Sequence, residues 1–498
     1  MLTRLKVSGF KNLVDVDVHF GPFTCIAGPN GVGKSNLFDA ILFLSSLTSD
    51  RTLTEAALSV RDDKQQTGDV RSIFHCIGED YDNEVRFEAE MILPKTGLDY
   101  LGQHTEASST LARYVLRIGW RPKNSEYEEA GPLEILEESL IPLRKTDVTK
   151  HLLFPMDREW RKSVMSGSHT RKFISTEEQE SRRYVRLHQD GRAGRLLTRP
   201  ASALPRTMLS TVQTGEYPTA MLVRREMQSW RLLHLESSAL RQPDRFDAPP
   251  RMEPDGYHLP SALYHLARRA AGNGNGKPDE TRVAAVYASV ANRLAELIND
   301  IREVNVDRDE SKERFTLHIK ARDGTVHPAR ALSDGTLRFL ALAVTEFDTQ
   351  SGGLLCMEEP ENGIHPRRIP AMLRLLQDIA TDTDYPSDDD NPLRQVIINT
   401  HSPLVVQQSP DDSVLMAELV ETVRQPKEGD RRFGQLQFSC LGKTWRTEKI
   451  SGHRVTSKAT LLAYLNPSAP ERSVPPAHRR VMDRSDLQMS LFSVGPRE

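Results

Sequence analysis

The octapeptide Gly28-Pro29-Asn30-Gly31-Val32-Gly33-Lys34-Ser35 dictates a strand, a tight turn and a helix in immediate succession. It fits the P-loop pattern GxxxxGK[ST]. An apolar strand-like run at 24–27 precedes it. A stretch with Leu37, Phe38, Ile41, Leu42 and Leu44 at helical spacing follows, predicting a helix over 35–47. Glycines let successive backbone N–H groups curl inward, and the new helix directs its positive end at the same point, so the turn is a phosphate cradle. Lys34 would reach the β- and γ-phosphates, and the Ser35 hydroxyl would bind Mg²⁺.

Three further runs add chemistry that a phosphate site needs. Leu354-Leu355-Cys356-Met357 is an apolar strand that ends in Glu358 and Glu359, a Walker B pattern. The first acid suits a water-linked Mg²⁺ and the second suits orienting and deprotonating an attacking water. Leu332-Ser333-Asp334-Gly335-Thr336 opens an apolar helix, where Ser333, Gly335 and backbone N–H groups make a second anion cradle. His401 ends the apolar strand Ile397-Ile398-Asn399-Thr400.

Taken in chain order, with Leu332 to Thr336 between the P-loop and the acidic pair, the runs resemble an ABC-type ATPase head. Leu332 to Thr336 is similar to the LSGGQ signature, with Asp334 and Thr336 where Gly and Gln are usual. Glu358-Glu359-Pro360-Glu361-Asn362-Gly363-Ile364-His365-Pro366 resembles the EEPE…LHP run of RecF-like and OLD-like ATPases, relatives of SMC proteins. Leu5-Lys6-Val7-Ser8-Gly9-Phe10-Lys11-Asn12-Leu13 looks like their first strand, and Gly33-Lys34-Ser35-Asn36-Leu37 like their P-loop. Asp255-Gly256 with Leu259-Pro260-Ser261-Ala262-Leu263 resembles a further family feature. The resemblance spans about 1–50 and 250–405. It implies an α/β fold: a P-loop NTPase of ABC type, a mixed sheet with flanking helices, plus a helical or irregular insert. It implies ATP held by Asn30, Gly31, Gly33, Lys34, Ser35 and Asn36, with Ser333 and Gly335 reaching the γ-phosphate on another subunit. Mg²⁺ falls to Ser35 and Glu358, catalysis to Glu359, Glu358, His401 and Lys34. His401 is then expected at the γ-phosphate, and heads are expected to pair as a homodimer or higher oligomer. No Q-loop glutamine is identifiable, which argues against a transporter subunit, and turnover is expected to be slow or gated by a partner.

Outside these runs the chain is less explicit. Strands are expected at 2–7, 14–20, 84–93, 112–120, 314–321, 353–357 and 395–399, and helices at 219–240, 259–271, 281–303, 336–347 and 370–380. The stretch 122–205 gives no clear period. These runs divide the chain into an N-terminal half of the head (1–95), an insert (96–305), a C-terminal half (306–425) and an extension with a tail (426–498).

The 498 residues carry a formal net charge of −3, so no global field recruits nucleic acid. Locally, ten arginines stand against three acids between Arg182 and Arg231, a candidate DNA surface. Gln488-Met489-Ser490-Leu491-Phe492 resembles the bacterial sliding-clamp pentapeptide, with Leu491 and Phe492 as its apolar anchors. Four scattered cysteines suggest neither zinc nor a disulfide framework, and no signal peptide or membrane span is expected, so a cytoplasmic setting is. After His401 no TOPRIM nuclease pattern is recognisable. A separate effector, a nuclease or toxin of a bacterial anti-phage system, is expected to act with the head. RecF-like repair and a non-hydrolysing ATP-dependent scaffold are the alternatives.

Overall fold

Phe23–Ala27, the strand that feeds the P-loop, is buried along its whole length because neighbours flank it on both sides. In this computed structural model it pairs in parallel with Arg394–Thr400 on one side and Val414–Arg424 on the other. The seven-stranded sheet continues outward through Gly353–Glu358 to Arg231–Leu233, and on the opposite side through the antiparallel Arg431–Cys440. N-terminal and C-terminal parts therefore build one nucleotide-type sheet. The carboxyl ends of its strands carry the P-loop, the acidic pair and His401, where open α/β sheets hold their ligands.

The structure describes residues 1–60, 69–121, 130–167, 169–190, 196–272, 279–296, 298, 300–349, 352–424, 431–450 and 452–465. Residues to Thr456 form one compact unit; the second unit contributes the helix Lys458–Leu465. Gln488 to Phe492 lie outside the described residues. Among the described residues no helix is long and apolar enough to cross a membrane.

A second sheet of eight antiparallel strands lies on the other face of the P-loop helix Lys34–Leu47. It begins with the hairpin Leu2–Phe10 and Leu13–His19 and runs through Glu84–Ile92, Leu111–Trp120 and Leu133–Pro142 to an edge at Leu196–Pro200. Phe10, Phe43 and Phe87 join sheet to helix, with ring centroids 5.5–5.9 Å apart. A second apolar core lies across the parallel sheet, where Asp334–Phe347, Ile369–Ile379 and Leu259–Ala270 pack.

The structure differs from the expected elements in three places. The stretch without a clear period contains Leu133–Pro142, Ile174–Gln179, Arg182–His188 and Leu196–Pro200, all in the eight-stranded sheet. Its alternation is hidden because a bulge interrupts Leu133–Pro142 between Ile135 and Glu137, and the fully buried Glu138 takes an inward position. The single helix expected over 219–240 stops at Gln228, and Arg231–Leu233 becomes the edge strand beside Gly353–Glu358. The helix expected over 281–303 ends at Ala295; Ile301–Asp309, alternating apolar and polar, pairs with Arg314–Ala321.

Candidate active site

Gly28 and Gly33 set the loop by two different constraints. Gly28 presses against the neighbouring strand so closely that a Cβ would stand 2.4 Å from the Ala417 carbonyl oxygen. Gly33 has φ +93°, and a Cβ there would overlap the Asn12 amide. Asn12 occupies the turn of the first hairpin and braces the loop twice. Its Nδ2 donates to the Val32 carbonyl at 2.9 Å, and its Oδ1 accepts from Asn36 Nδ2 at 2.8 Å. Next to it, Lys11 Nζ pairs with the buried Asp39 of the P-loop helix at 2.7 Å.

A cavity of about 990 Å³ opens on this loop. Asn30, Gly31, Gly33, Lys34, Ser35, Asn36, Glu358 and Glu359 all line it. Gly31 faces open space, leaving its backbone approachable. Lys34 is largely buried, and its ammonium donates to the Gly28 and Pro29 carbonyls at 2.8 and 2.7 Å. Burial pulls the Lys34 pKa down, opposed by Glu359, Glu361 and Glu358.

The acidic strand ends at Glu358, whose Oε1 accepts from Asn399 Nδ2 at 3.3 Å. Glu359 follows in a left-handed conformation, φ +45°, with its N–H on the Asn399 carbonyl at 2.9 Å. Its Oε1 meets His401 Nδ1 at 2.6 Å and its Oε2 accepts from Asn362 at 2.7 Å. Glu361 turns inward and accepts from Thr400 Oγ1 at 2.5 Å, tying the acidic loop to the strand that carries His401. Burial raises the Glu361 pKa.

Ser333 and Gly335 do not line this cavity. Ser333 caps Asp334–Phe347, accepting from the Thr336 N–H at 3.3 Å. Asp334 pairs with Arg241, which holds its carboxyl below the ordinary range. Arg192 and Arg195 lie outside the described residues, and the other arginines between 182 and 231 do not all lie at the surface. Arg224 is buried and donates to the Thr48 and Val212 carbonyls; Arg183 pairs with Glu134, Arg186 with Glu177 and Arg206 with Asp50. Arg182, Arg199 and Arg225 are exposed.

Ser35 and Glu358 bring a hydroxyl and a carboxylate to one cavity, hard oxygen donors that suit Mg²⁺ completed by phosphate and water. Among the described residues no group of three or more His, Cys, Asp or Glu is placed to hold a metal alone. Sequence reasoning assigned no role to several residues the structure puts here. Asn12 and Asn362 lay inside quoted runs without a function. The far wall comes from Asp69, Ser72, Phe74, His75, Cys76, Gly78 and Tyr81, with Phe433 and Gly434 from the C-terminal hairpin. The His75 ring packs tilted against Phe433, centroids 5.0 Å apart, a contact between distant parts of the chain that carries no local signal.

Parts of this sequence are shared with known proteins. A family model described as "AAA domain, putative AbiEii toxin, Type IV TA system" matches residues 23–113 and 228–407. The chain is 41% identical over 58 residues to the DNA replication and repair protein RecF of Paenarthrobacter aurescens, covering 11% of this chain and 14% of that protein. It is 51% identical over 41 residues to the OLD nuclease of Thermus scotoductus, covering 8% of each. It is 27% identical over 135 residues to structural maintenance of chromosomes protein 4 of Mus musculus, covering 26% of this chain and 9% of that one. The chain thus spans only a small part of the length of these relatives. Among solved structures, an SMC head bound to the C-winged helix domain of ScpA aligns at 12% identity and a TM-score of 0.42, over 89% of this chain and 98% of that one.

Proposed function

Because this chain belongs to the AAA-domain family whose model it matches, as an ABC-type ATPase of the RecF, OLD and SMC kind, we propose that it binds ATP–Mg²⁺ in the cavity above and hydrolyses it. The observation that carries this reading is the convergence of Lys34, Ser35, Glu358 and Glu359 on one cavity at the carboxyl ends of parallel strands. Lys34 leaves its carbonyl partners for the β- and γ-phosphates. Ser35 and Glu358 hold Mg²⁺, which when bound neutralises charge on the phosphate oxygens. Glu359 accepts the proton of a water whose oxygen bonds to the γ-phosphorus as the bond to the ADP oxygen breaks. His401 does not itself line the cavity but bonds to Glu359 Oε1, and in this reading it reaches the γ-phosphate from there.

In this reading Ser333 and Gly335 of a second copy complete each site, so ATP closes a head dimer and hydrolysis reopens it. The output is a DNA-linked switch in bacterial anti-phage defence, acting through a separate nuclease or toxin. The toxin–antitoxin wording of the family description and the OLD nuclease similarity support that role. The RecF similarity favours the second reading, a repair-associated ATPase without a toxic partner. ATP hydrolysis measured with and without duplex DNA tests the switch. A rate that rises with DNA and vanishes in Lys34→Ala is expected; a rate indifferent to DNA contradicts the DNA link.

A further inference from the structure

Asn362 touches two parts of the site at once. Its side-chain amide donates to Glu359 Oε2 at 2.7 Å, and its backbone carbonyl accepts from Arg338 Nη1. Arg338 stands near the start of Asp334–Phe347, the helix that Ser333 caps. The same helix touches the acidic loop a second time at Gly335, where a Cβ would come 3.1 Å from the Gly363 carbonyl oxygen. Glu359 itself is in the left-handed region, a conformation that persists in a non-glycine residue only when its surroundings over-determine it. Four bonds do so here: its N–H to Asn399, its carbonyl to the Asn362 N–H at 3.0 Å, and its two carboxylate oxygens to His401 and Asn362.

We propose that Asn362 is a positioning residue for hydrolysis. Its side chain aims the Glu359 carboxylate, and its backbone transmits the stance of the Ser333 helix to that carboxylate through Arg338. The inference rests on the reading of Glu359 as the general base. A carboxylate held at one oxygen only by His401 can swing about its own side-chain torsions, and misplacing a reacting group by about 1 Å costs roughly 100-fold in rate. Asn362 lines the cavity but makes none of the contacts that brace the P-loop, so its loss is expected to fall on turnover more than on ATP binding. Asn362 bonds both to Arg338 of the helix and to the base, so Arg338 and Asn362 act on turnover as a unit.

The test is steady-state ATP hydrolysis by the full chain and its Asn362→Ala, Arg338→Met, doubly substituted and Glu359→Gln forms, beside titration with a fluorescent ATP analogue. Each single variant is expected to lose about tenfold or more in kcat, with KM and analogue affinity within about threefold of wild type. The double variant is expected to be no slower than the slower single one, the non-additivity of a shared path. A kcat for Asn362→Ala within twofold of wild type, with Glu359→Gln inactive, overturns the inference and leaves the base assignment standing. Losses that multiply in the double variant overturn the link through Arg338. Wild-type turnover by Glu359→Gln overturns the base assignment and the inference with it.

Discussion

Asn12 illustrates how far a phosphate loop depends on a residue outside it. The loop glycines and Lys34 are local in sequence and follow from the chemistry of phosphate binding, so they can be read directly. Asn12 reaches the Val32 carbonyl and Asn36 from a separate hairpin, and only tertiary packing reveals it. Asn12→Ala is expected to cost about 1–2 kcal/mol in denaturant unfolding, because two partners lose a hydrogen bond, and to raise KM for ATP several-fold. Unchanged stability and KM would mean that the loop holds its shape unaided. Glu358 and Glu359 were legible for the same reason as Lys34: an apolar strand that ends in two acids needs a charge-bearing task. The wall from Asp69 to Tyr81 and Phe433 was not legible, since its residues share no spacing and meet only in the fold.

At the scale of elements, the parallel sheet was readable where strands are continuous apolar runs, as in Gly353–Glu358 and Arg394–Thr400. The outer antiparallel strands were not. Arg182–His188 carries three arginines on a half-exposed sheet, and Leu133–Pro142 buries a glutamate, so neither shows clean alternation. Packing between elements then decides what each tolerates. Gly28→Ala would place a methyl 2.4 Å from the Ala417 carbonyl, forcing the P-loop strand away from Val414–Arg424. Overpacking of this kind costs about 1–3 kcal/mol, and thermal melting should fall accordingly with ATP affinity falling beside it. A variant that melts and binds like wild type would show that the two strands can part without consequence. Phe43→Ala, which removes the ring joining the P-loop helix to the eight-stranded sheet, is expected to cost about 3–5 kcal/mol. A loss below about 1 kcal/mol would contradict the role given to that contact.

For the whole molecule, burial and charge make stability depend on pH. Glu138 is fully buried, and burial pushes its pKa up to about 7, against the N–H groups of Met208 and Leu209 and the Tyr114 hydroxyl, which donate to it. A carboxyl whose folded pKa is raised binds its proton more tightly when folded. Its contribution is therefore complete below the unfolded value of 4.5 and is lost as pH rises towards 7. Between pH 4.5 and 7 the wild type should lose stability relative to Glu138→Gln, on the order of 2 kcal/mol, in denaturant midpoints measured across that range. Parallel pH curves for the two proteins would refute this. Ser333 and Gly335 do not line the cavity of their own chain, and the proposed head-to-head pairing is what would bring a second copy's pair to it. Glu359→Gln with ATP is expected to elute as a dimer in gel filtration and Ser333→Arg as a monomer; a strict monomer in both sinks the shared site. The most direct test of the account is ATP turnover by wild type and Glu359→Gln beside ATP binding by each. The account predicts equal binding with turnover reduced at least about 100-fold in the variant. Equal turnover in the two proteins would contradict it.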